Sequence, residues 1–428
     1  MAMPEPIPSG SQLVELPGAK TAASGRGPGQ AGISRVRPTL LAEVQRYGRF
    51  DSSCLNCGGC SAACDLPSGD ATFPRRSIHR VIIGLKDDVL EDLEPWLCHD
   101  CGDCSLTCPR QADPAASMRT LRRYLTGQYD WTGIAARLLR SRRWHAGVLV
   151  GAGALVFGLF LAYHLYWAKL PVAMLATPLG LEHMFPKILY FTWIIYALPL
   201  AVLIGHGWRM QRLTMGPVRA PLRHYLVELK TLVLHLTLQL RMRRCPGESG
   251  GAAADRWRSA GAAAPIPRRW LKHWLVALGT AMMIVLTAAF LRWFQTDTVY
   301  PVYHPQRWLG YLATVFMLWG TSDLLLRRTR APEIPLRAPG TITLPLLLSL
   351  TALSGIVLHV LRVAGLALAA HYAYALHLSI TVPLLVVELP FGEWVHTMDR
   401  PLAIYFQAVR ERARKALPAE AGLLPARA

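Results

Sequence analysis

Acidic residues are scarce in this chain of 428 residues. Only 27 Asp and Glu stand against 46 Lys and Arg, so the formal net charge is +19. A nucleic-acid-binding module can be this basic, but it would not contain the long apolar runs found here. Hydrophobic residues make up 52% of the chain, and its mean hydropathy is +0.26. The composition predicts a membrane protein with basic loops and argues against nucleic acid as a partner.

Three other features are missing. No Gly-rich nucleotide fingerprint follows a strand pattern, and no two cysteines are adjacent, so flavin chemistry and disulfide cleavage are expected to belong to other polypeptides. No apolar core of a secretory signal stands near the N-terminus. The N-terminal region is therefore expected to stay in the cytoplasm.

Eight of the nine cysteines form two arrays with the same spacing, C-x2-C-x2-C-x3-C, at residues 54–64 and 98–108. In two-cluster iron–sulfur proteins the first three thiolates of each run bind one cubane, and the fourth binds the other. The expected ligands are Cys54, Cys57, Cys60 and Cys108 for cluster 1, and Cys98, Cys101, Cys104 and Cys64 for cluster 2.

Other thiol chemistry fits this pattern less well. Structural zinc usually takes paired C-x2-C knuckles and does not require this four-cysteine run twice. Disulfides are disfavoured in a reducing cytoplasm. Gly58, Gly59 and Gly102 allow the backbone to wrap closely around a cluster. Cys245 is isolated, and we assign it no role.

The regions outside the arrays read as helical. Apolar residues between the arrays recur near helical spacing, which predicts a helical connector. A segment from His224 has an apolar face but carries Glu228 and Lys230, so it is expected to lie in the membrane interface. Six runs near the 20-residue length of a membrane span are predicted at 146–168, 186–207, 271–293, 307–326, 342–363 and 371–395. The predicted fold class is all-α: a two-[4Fe–4S] module fused to a six-span bundle.

Charge bias predicts the orientation. Basic residues cluster before span one, after span two, before span three and after span four, and such ends are cytoplasmic. An even number of spans returns the C-terminus to the same side. We expect an inner-membrane protein with both termini and the cysteine arrays in the cytoplasm.

Histidines in the spans are candidate haem ligands, because ionisable residues in a membrane are costly and often functional. His273 begins span three and His396 follows span six, so their equal depth makes them a predicted axial pair. His377 lies near the other end of span six, where His359 or Met283 would be its partner. The alternative for any of these histidines is an interfacial or capping role.

Two families resemble this chain. "CHDCGDCSLTCPRQADPAASMRTLRRY", "YDWTG" and the fusion to six spans are similar to the C-type subunits of quinone-interacting membrane-bound oxidoreductases, themselves similar to a C-type heterodisulfide-reductase subunit joined to an E-type membrane subunit. The last four spans resemble the gamma subunit of respiratory nitrate reductase, a haem b protein.

The second resemblance implies particular haem ligands. "YALHLSITVPLLVVELPFGEWVHTMDRP" resembles that family's final span, which implies His377 and His396 as ligands of two different haems. "LKHWLVALGTAMMIVLTAAFLRW" implies His273 as the proximal ligand. The sequence departs from the family at Met283, where a second histidine is usual. Met283 as a thioether ligand, His359 as a substitute, or a single haem are the alternatives.

The resemblances imply a one-electron relay between a membrane quinone and cytoplasmic flavin and iron–sulfur subunits similar to the A-type subunit of heterodisulfide reductase, with adenylylsulfate reductase as the terminal partner in dissimilatory sulfur metabolism. The alternatives are a membrane subunit of a heterodisulfide-reductase-like or sulfite-reductase-associated complex, and a haem-free anchor. A quinone site is expected in the outer half, beside His377, His359 and Arg362. The predicted organisation is a disordered tail (1–38), an iron–sulfur domain (39–130), a transmembrane hairpin (131–213), a cytoplasmic loop with the interfacial helix (214–269), a four-span haem b domain (270–399) and a cytoplasmic tail (400–428).

Overall fold

A computed structural model describes residues 35–64, 66, 72–167, 188–216, 218, 220–244, 268–291, 298–330 and 342–416. This part of the chain is mostly helical, with one isolated β-bridge between Val36 and Leu85. The all-α fold class predicted from the sequence is confirmed. Most of the predicted disordered tail and Cys245 lie outside the described residues.

The cysteine module, residues 39–130, is built around one long helix. Its helices, with the short helix that follows it, are α1 (Leu40–Gln45), α2 (Gly59–Ala62), α3 (Arg75–Ile82), α4 (Lys86–Leu90), α5 (Glu94–Leu97), α6 (Asp103–Leu106), α7 (Pro114–Tyr129) and α8 (Ile134–Arg140). Asp113 caps α7 by accepting the N–H of Ala116 at 3.1 Å. Met118, Leu121 and Leu125 are fully buried, so α7 forms the centre of the core.

The predicted helical connector consists of three short helices, α3 to α5. Ile78, Val81 and Val89 are buried against the core, as the apolar spacing predicts. Gly84 breaks the connector because it adopts φ +81°, and a side chain there would meet the carbonyl oxygen of Arg37 at 2.5 Å. A single continuous helix is therefore sterically excluded.

Among the described residues, eight longer helices follow the short helix α8. They are α9 (Arg142–Ala162), α10 (Ile188–Met215), α11 (Leu222–Thr237), α12 (Arg268–Ala289), α13 (Pro305–Arg330), α14 (Thr343–Val363), α15 (Ala367–Pro383) and α16 (His396–Lys415). In the described part of the chain six helices are long and apolar enough to cross a membrane: α9, α10, α12, α13, α14, and α15 with its continuation to Phe391. Their outward apolar side chains, such as Val150 and Phe191, are exposed, as lipid-facing residues are.

Two of the differences between the predicted and observed span ends have a structural cause. α10 continues to Met215 rather than to residue 207, because Met210 and Met215 pack into the core of the cysteine module. The last span ends at Phe391 rather than at residue 395, because Gly392 is extended. His396 therefore begins a separate helix, α16.

The helix α11 lies where an interfacial helix was predicted, and it also packs on α16. Glu228 accepts a hydrogen bond from Arg412 Nε at 2.7 Å, and Tyr405 donates to the carbonyl oxygen of Tyr225 at 3.0 Å. The apolar face that contains Leu226 and Val233 remains exposed. Such a face suits burial in a membrane interface.

A buried contact between a histidine and a glutamate joins the first span to the last. The continuation of α15 is a π-helical turn, Leu384–Glu388, which turns the Glu388 carboxylate towards His145 on α9. The two side chains are 2.6 Å apart and almost completely buried. Gly392 leaves the space that the carboxylate occupies.

The His145→Ala variant is expected to lose about 1–3 kcal/mol of stability, because Glu388 Oε2 loses its side-chain partner and only the N–H of Glu393 still donates to the carboxyl group. Thermal unfolding in detergent, followed by tryptophan fluorescence, measures the loss. Adding Glu388→Gln should recover most of it, since removing both partners costs less than removing one. A double variant as unstable as the single one would contradict this account.

Candidate functional site

The two cysteine arrays have the same backbone conformation. Asn56 and Asp100, each two residues after the first cysteine, have φ of 55° and 58°. Gly58 and Gly102, each directly after the second cysteine, have φ of 89° and 90°. These glycines adopt the left-handed conformation at low cost, and a one-turn helix, α2 or α6, begins directly after each. Equal spacing therefore produces two equal loops.

Each loop points an amide at its first cysteine. The N–H of Asn56 donates to Cys54 Sγ at 3.5 Å, and the N–H of Asp100 donates to Cys98 Sγ at 3.4 Å. Amides aimed at sulfur favour thiolate over thiol and help to set the reduction potential of a bound cluster. The loops are thus suited to anionic sulfur.

The fourth cysteine of the first array lies with the second array. Cys64 lines one cavity together with Cys98, Cys101 and Cys104. In the other direction, a side chain on Gly59 would meet Thr107 O at 3.7 Å and Pro109 at 4.0 Å. The segment around Cys108 therefore adjoins the first array. Among the described residues, no group of three or more cysteines lies close enough together to hold one metal ion as it stands.

The two arrays differ in exposure. Cys57 of the first array is exposed, whereas Cys98 and Cys104 of the second are buried. Burial, together with neighbouring thiols, raises the pKa of Cys60 and Cys104. Metal ions favour the thiolate form, so iron would offset this cost. The first array is at the surface, and the second is deeper in the molecule.

His273 and His396 face each other at the module end of the spans. Their ring centroids are 6.1 Å apart, and the ring planes meet at 63°. Both rings line a cavity that also includes Gln239, Arg241 and Arg400. We call it the histidine cavity. The two rings predicted to pair therefore lie next to each other.

Both imidazoles are oriented through the same nitrogen. His273 Nδ1 donates to Gln239 Oε1 at 2.6 Å, and His396 Nδ1 donates to the carbonyl oxygen of Glu393 at 2.5 Å. Each Nε2 then carries the lone pair that binds metal, with the Nδ1 contact holding the ring orientation. Burial also lowers the pKa of His396, which favours the neutral, ligating form.

These two histidines fit a haem iron. With metal–nitrogen bonds of about 2 Å, two imidazoles on opposite sides of one ion have ring centroids about 6 Å apart. The observed separation and both tautomers match that requirement. The second iron–sulfur set lines one cavity with thiols from both loops, which suits a cluster.

The second array and the histidine cavity are directly connected. Arg400, one helical turn after His396, donates through Nε to Trp96 O at 2.9 Å and through Nη2 to Cys98 O. Arg122 on α7 donates to Cys98 O at 3.3 Å from the module side. Cys98 is thus held by two guanidinium groups.

The other predicted haem residues have separate partners. His377 Nδ1 is 2.9 Å from Ser354 Oγ. His359 contacts Arg307 through Nδ1 at 2.5 Å and the Tyr311 hydroxyl through Nε2 at 2.8 Å. Met283 packs in an apolar cluster around Met317. Of the predicted pairs, the described residues bring together His273 with His396.

Sequence reasoning missed several residues of these sites. Gln239, Arg400, Arg307 and Tyr311 were not predicted, because their partners are distant in the chain. Arg400 had one available signal, its position four residues after His396 on the same helical face. The other contacts exist only once the helices are packed.

Comparison with known families agrees with this architecture. Residues 189–417, more than half of the chain, match the family described as citrate utilization protein B. The chain belongs to that family. The matched region of this citrate utilization protein B family member includes five of the six spans and the histidine cavity. Residues 51–112 match the 4Fe-4S dicluster domain, so the paired arrays are an iron–sulfur module.

Curated relatives match the cysteine module. A protein of Archaeoglobus profundus that is like the C-type subunit of heterodisulfide reductase is 35% identical over 110 residues, 26% of this chain and 55% of the relative. The second C-type iron-sulfur subunit of CoB–CoM heterodisulfide reductase from Methanocaldococcus jannaschii is 38% identical over 72 residues, 16% of this chain and 37% of the relative. The chain spans only about a third to a half of these relatives. No solved structure matches it. The citrate utilization protein B family member thus carries a heterodisulfide-reductase-C-like iron–sulfur module for electron transfer.

Proposed function

We propose that this chain relays single electrons between a membrane quinone and a soluble redox partner, using haem b in the histidine cavity and two [4Fe–4S] clusters in the cysteine arrays. The observation that carries the proposal is the pair His273 and His396, spaced and oriented for one iron, beside a residue that contacts Cys98. Haem b and the clusters supply one-electron chemistry when bound, which matches a quinone that reacts in single-electron steps.

The chain's own residues order these sites. Cys57 and the first array are at the surface, the second array lies beneath, and Arg400 connects it to the histidine cavity. Gln239 and Glu393 hold the two imidazole rings in the ligating tautomer. This order supports a route that runs from the surface to the membrane. The charge bias of the loops supports a cytoplasmic position for the module.

The surface around Leu55 of the first array and Leu106 of the second suits a soluble partner. Leu55 is 67% exposed and Leu106 is 82% exposed, and each lies between cysteines of its array. Arg49 and Arg110 are exposed nearby, on either side of Asp51. We propose that a flavin and iron–sulfur protein similar to the A-type subunit of heterodisulfide reductase docks here, with adenylylsulfate reductase as the terminal partner. An acidic rim on that protein would complement the two arginines.

The opposite end of the spans carries a polar group suited to quinone. Arg307 donates to His359 Nδ1, so His359 Nε2 carries the proton and donates to the Tyr311 oxygen. The Tyr311 hydroxyl proton then remains to be donated to another acceptor, such as a quinone carbonyl. We propose this group as the quinone site, in place of the expected His377 and Arg362.

The Tyr311→Phe variant should slow quinol-driven haem reduction about 10–100-fold, because it removes the hydroxyl donor but keeps the ring. Stopped-flow absorbance measures the rate. Tyr303→Phe, which changes an exposed tyrosine near the same end, is the control. Equal rates in the Tyr311 variant and the unmodified protein would exclude this quinone site.

The first test of the proposed function is to measure which cofactors the purified protein contains. Protein purified in detergent should contain haem b together with the iron of two [4Fe–4S] clusters, and added quinol should reduce the haem and then the clusters. Two haems per chain would mean that the His377 site is also filled. Protein with clusters but no haem would overturn the relay and favour the anchor.

The main alternative is a different complex of the same construction, such as a heterodisulfide-reductase-like or sulfite-reductase-associated membrane subunit. The cofactors and their order would be the same, and only the soluble partner would differ. Co-purification of the native complex, followed by identification of its flavoprotein, separates these alternatives.

A further inference from the structure

The Arg400 side chain touches both proposed redox sites. It lines the histidine cavity one turn from His396. Its guanidinium donates to the carbonyl oxygens of Trp96 and Cys98 and lies 3.4 Å from His99 Nδ1. These contacts all fall on the approach to the second array.

The positive charge of Arg400 is not neutralised by a carboxylate. Among the described residues, no Asp or Glu oxygen lies within salt-bridge distance of it, whereas Arg122 has Asp100 at 4.0 Å. A guanidinium group stays protonated at neutral pH, so Arg400 carries a positive charge there. The Cys98 sulfur and the Asp100 carboxylate attract that charge.

We infer that Arg400 sets the reduction potentials of both neighbouring centres, the second cluster and the haem, and so keeps them poised for electron exchange; this rests on the proposed function. Each centre gains a negative charge on reduction, and a nearby fixed cation stabilises that charge. One residue shared by two centres shifts both potentials in the same direction. The difference between the two potentials, which drives transfer between the centres, therefore changes by less than the larger of the two shifts.

The test compares Arg400→Gln with a matched control on the same helix. Arg410 also donates to a carbonyl oxygen of the module, that of Glu91 at 3.2 Å, seven residues before Cys98. Potentiometric titration of the detergent-purified protein, read by electron paramagnetic resonance for the clusters and by absorbance for the haem, gives each potential. The first cluster is the internal reference.

Arg400→Gln should lower the reduced-to-oxidised ratio of the second cluster and of the haem at least about tenfold at a fixed poise, which is 59 mV for a one-electron couple. The first cluster, and all centres in Arg410→Gln, should be unchanged. If the Arg400→Gln variant loses its cofactors, the Arg400→Lys variant is titrated in its place. Lysine keeps the positive charge but lacks the planar guanidinium group, so a smaller fall in the reduced-to-oxidised ratio, about two- to fivefold, is expected.

Unchanged potentials in an Arg400 variant that retains its cofactors would overturn the inference and leave the relay intact. An equal shift in Arg410→Gln would also overturn it, because the role would then be structural. Absence of haem from the unmodified protein would overturn the proposed function instead. The inference about Arg400 would then be decided by the potential of the second cluster alone.

Discussion

Replacing His273 with alanine is expected to remove the haem from the histidine cavity and leave both iron–sulfur clusters in place. One axial imidazole would remain, on His396, and a single nitrogen ligand binds haem far more weakly than a pair on opposite faces. The cysteine arrays are built from other loops, so they should load normally. Quinol-driven reduction of the clusters should become undetectable. Absorbance gives the haem content, and iron analysis gives the clusters.

A graded series tests the geometry behind this prediction. Gln239→Leu removes the acceptor that holds His273 Nδ1, and loss of such a contact weakens metal binding about 10–100-fold. His224→Ala changes a buried histidine on α11 outside the cavity and should retain the haem. Full haem content in His273→Ala would refute the axial pair. A Gln239 variant as severe as His273→Ala would mean that the cavity collapses without the glutamine.

The parts of this protein that the sequence predicts are those with local causes. Cysteine spacing and the glycines after Cys57 and Cys101 determine two equal loops, because φ and cluster geometry act over a few residues. Apolar runs of about 20 residues likewise predict spans without knowledge of their neighbours. Depth in the membrane was enough to predict that His273 and His396 are neighbours, because residues at the same depth on different helices can meet.

The parts that could not be predicted depend on packing between distant segments. Arg123 on α7 contacts Glu393 at 2.9 Å, and Thr126 lies 3.5 Å from Asp399, across some 270 residues of chain. No periodicity encodes which face of α7 meets α16. The extension of α10 to Met215 was missed for the same reason: tertiary burial, rather than hydropathy, stabilises its last turns.

The other large expected effect follows from crossed ligation, in which the fourth cysteine of each array binds the cluster of the other array. Cys64→Ala should damage the second cluster, although Cys64 belongs to the first array, because its side chain lies in the cavity with Cys98, Cys101 and Cys104. Cys108→Ala should damage the first cluster, since its segment adjoins Gly59. The reason is that a cubane needs a fourth thiolate, which each three-cysteine loop lacks.

The two clusters can be distinguished by the electron donor that reduces each of them. Damage to the second cluster in Cys64→Ala should block electron exchange with the haem while the surface cluster still accepts electrons from an added soluble reductant. Cys108→Ala should do the reverse: the second cluster should still be reduced through the haem, while entry from the surface is lost. Cys245→Ala, which removes the isolated thiol, should leave both clusters intact. If Cys64→Ala damages only the surface cluster, the four cysteines of each array bind the same cluster. Crossed ligation would then be wrong, and so would the order of centres from the surface to the membrane that depends on it.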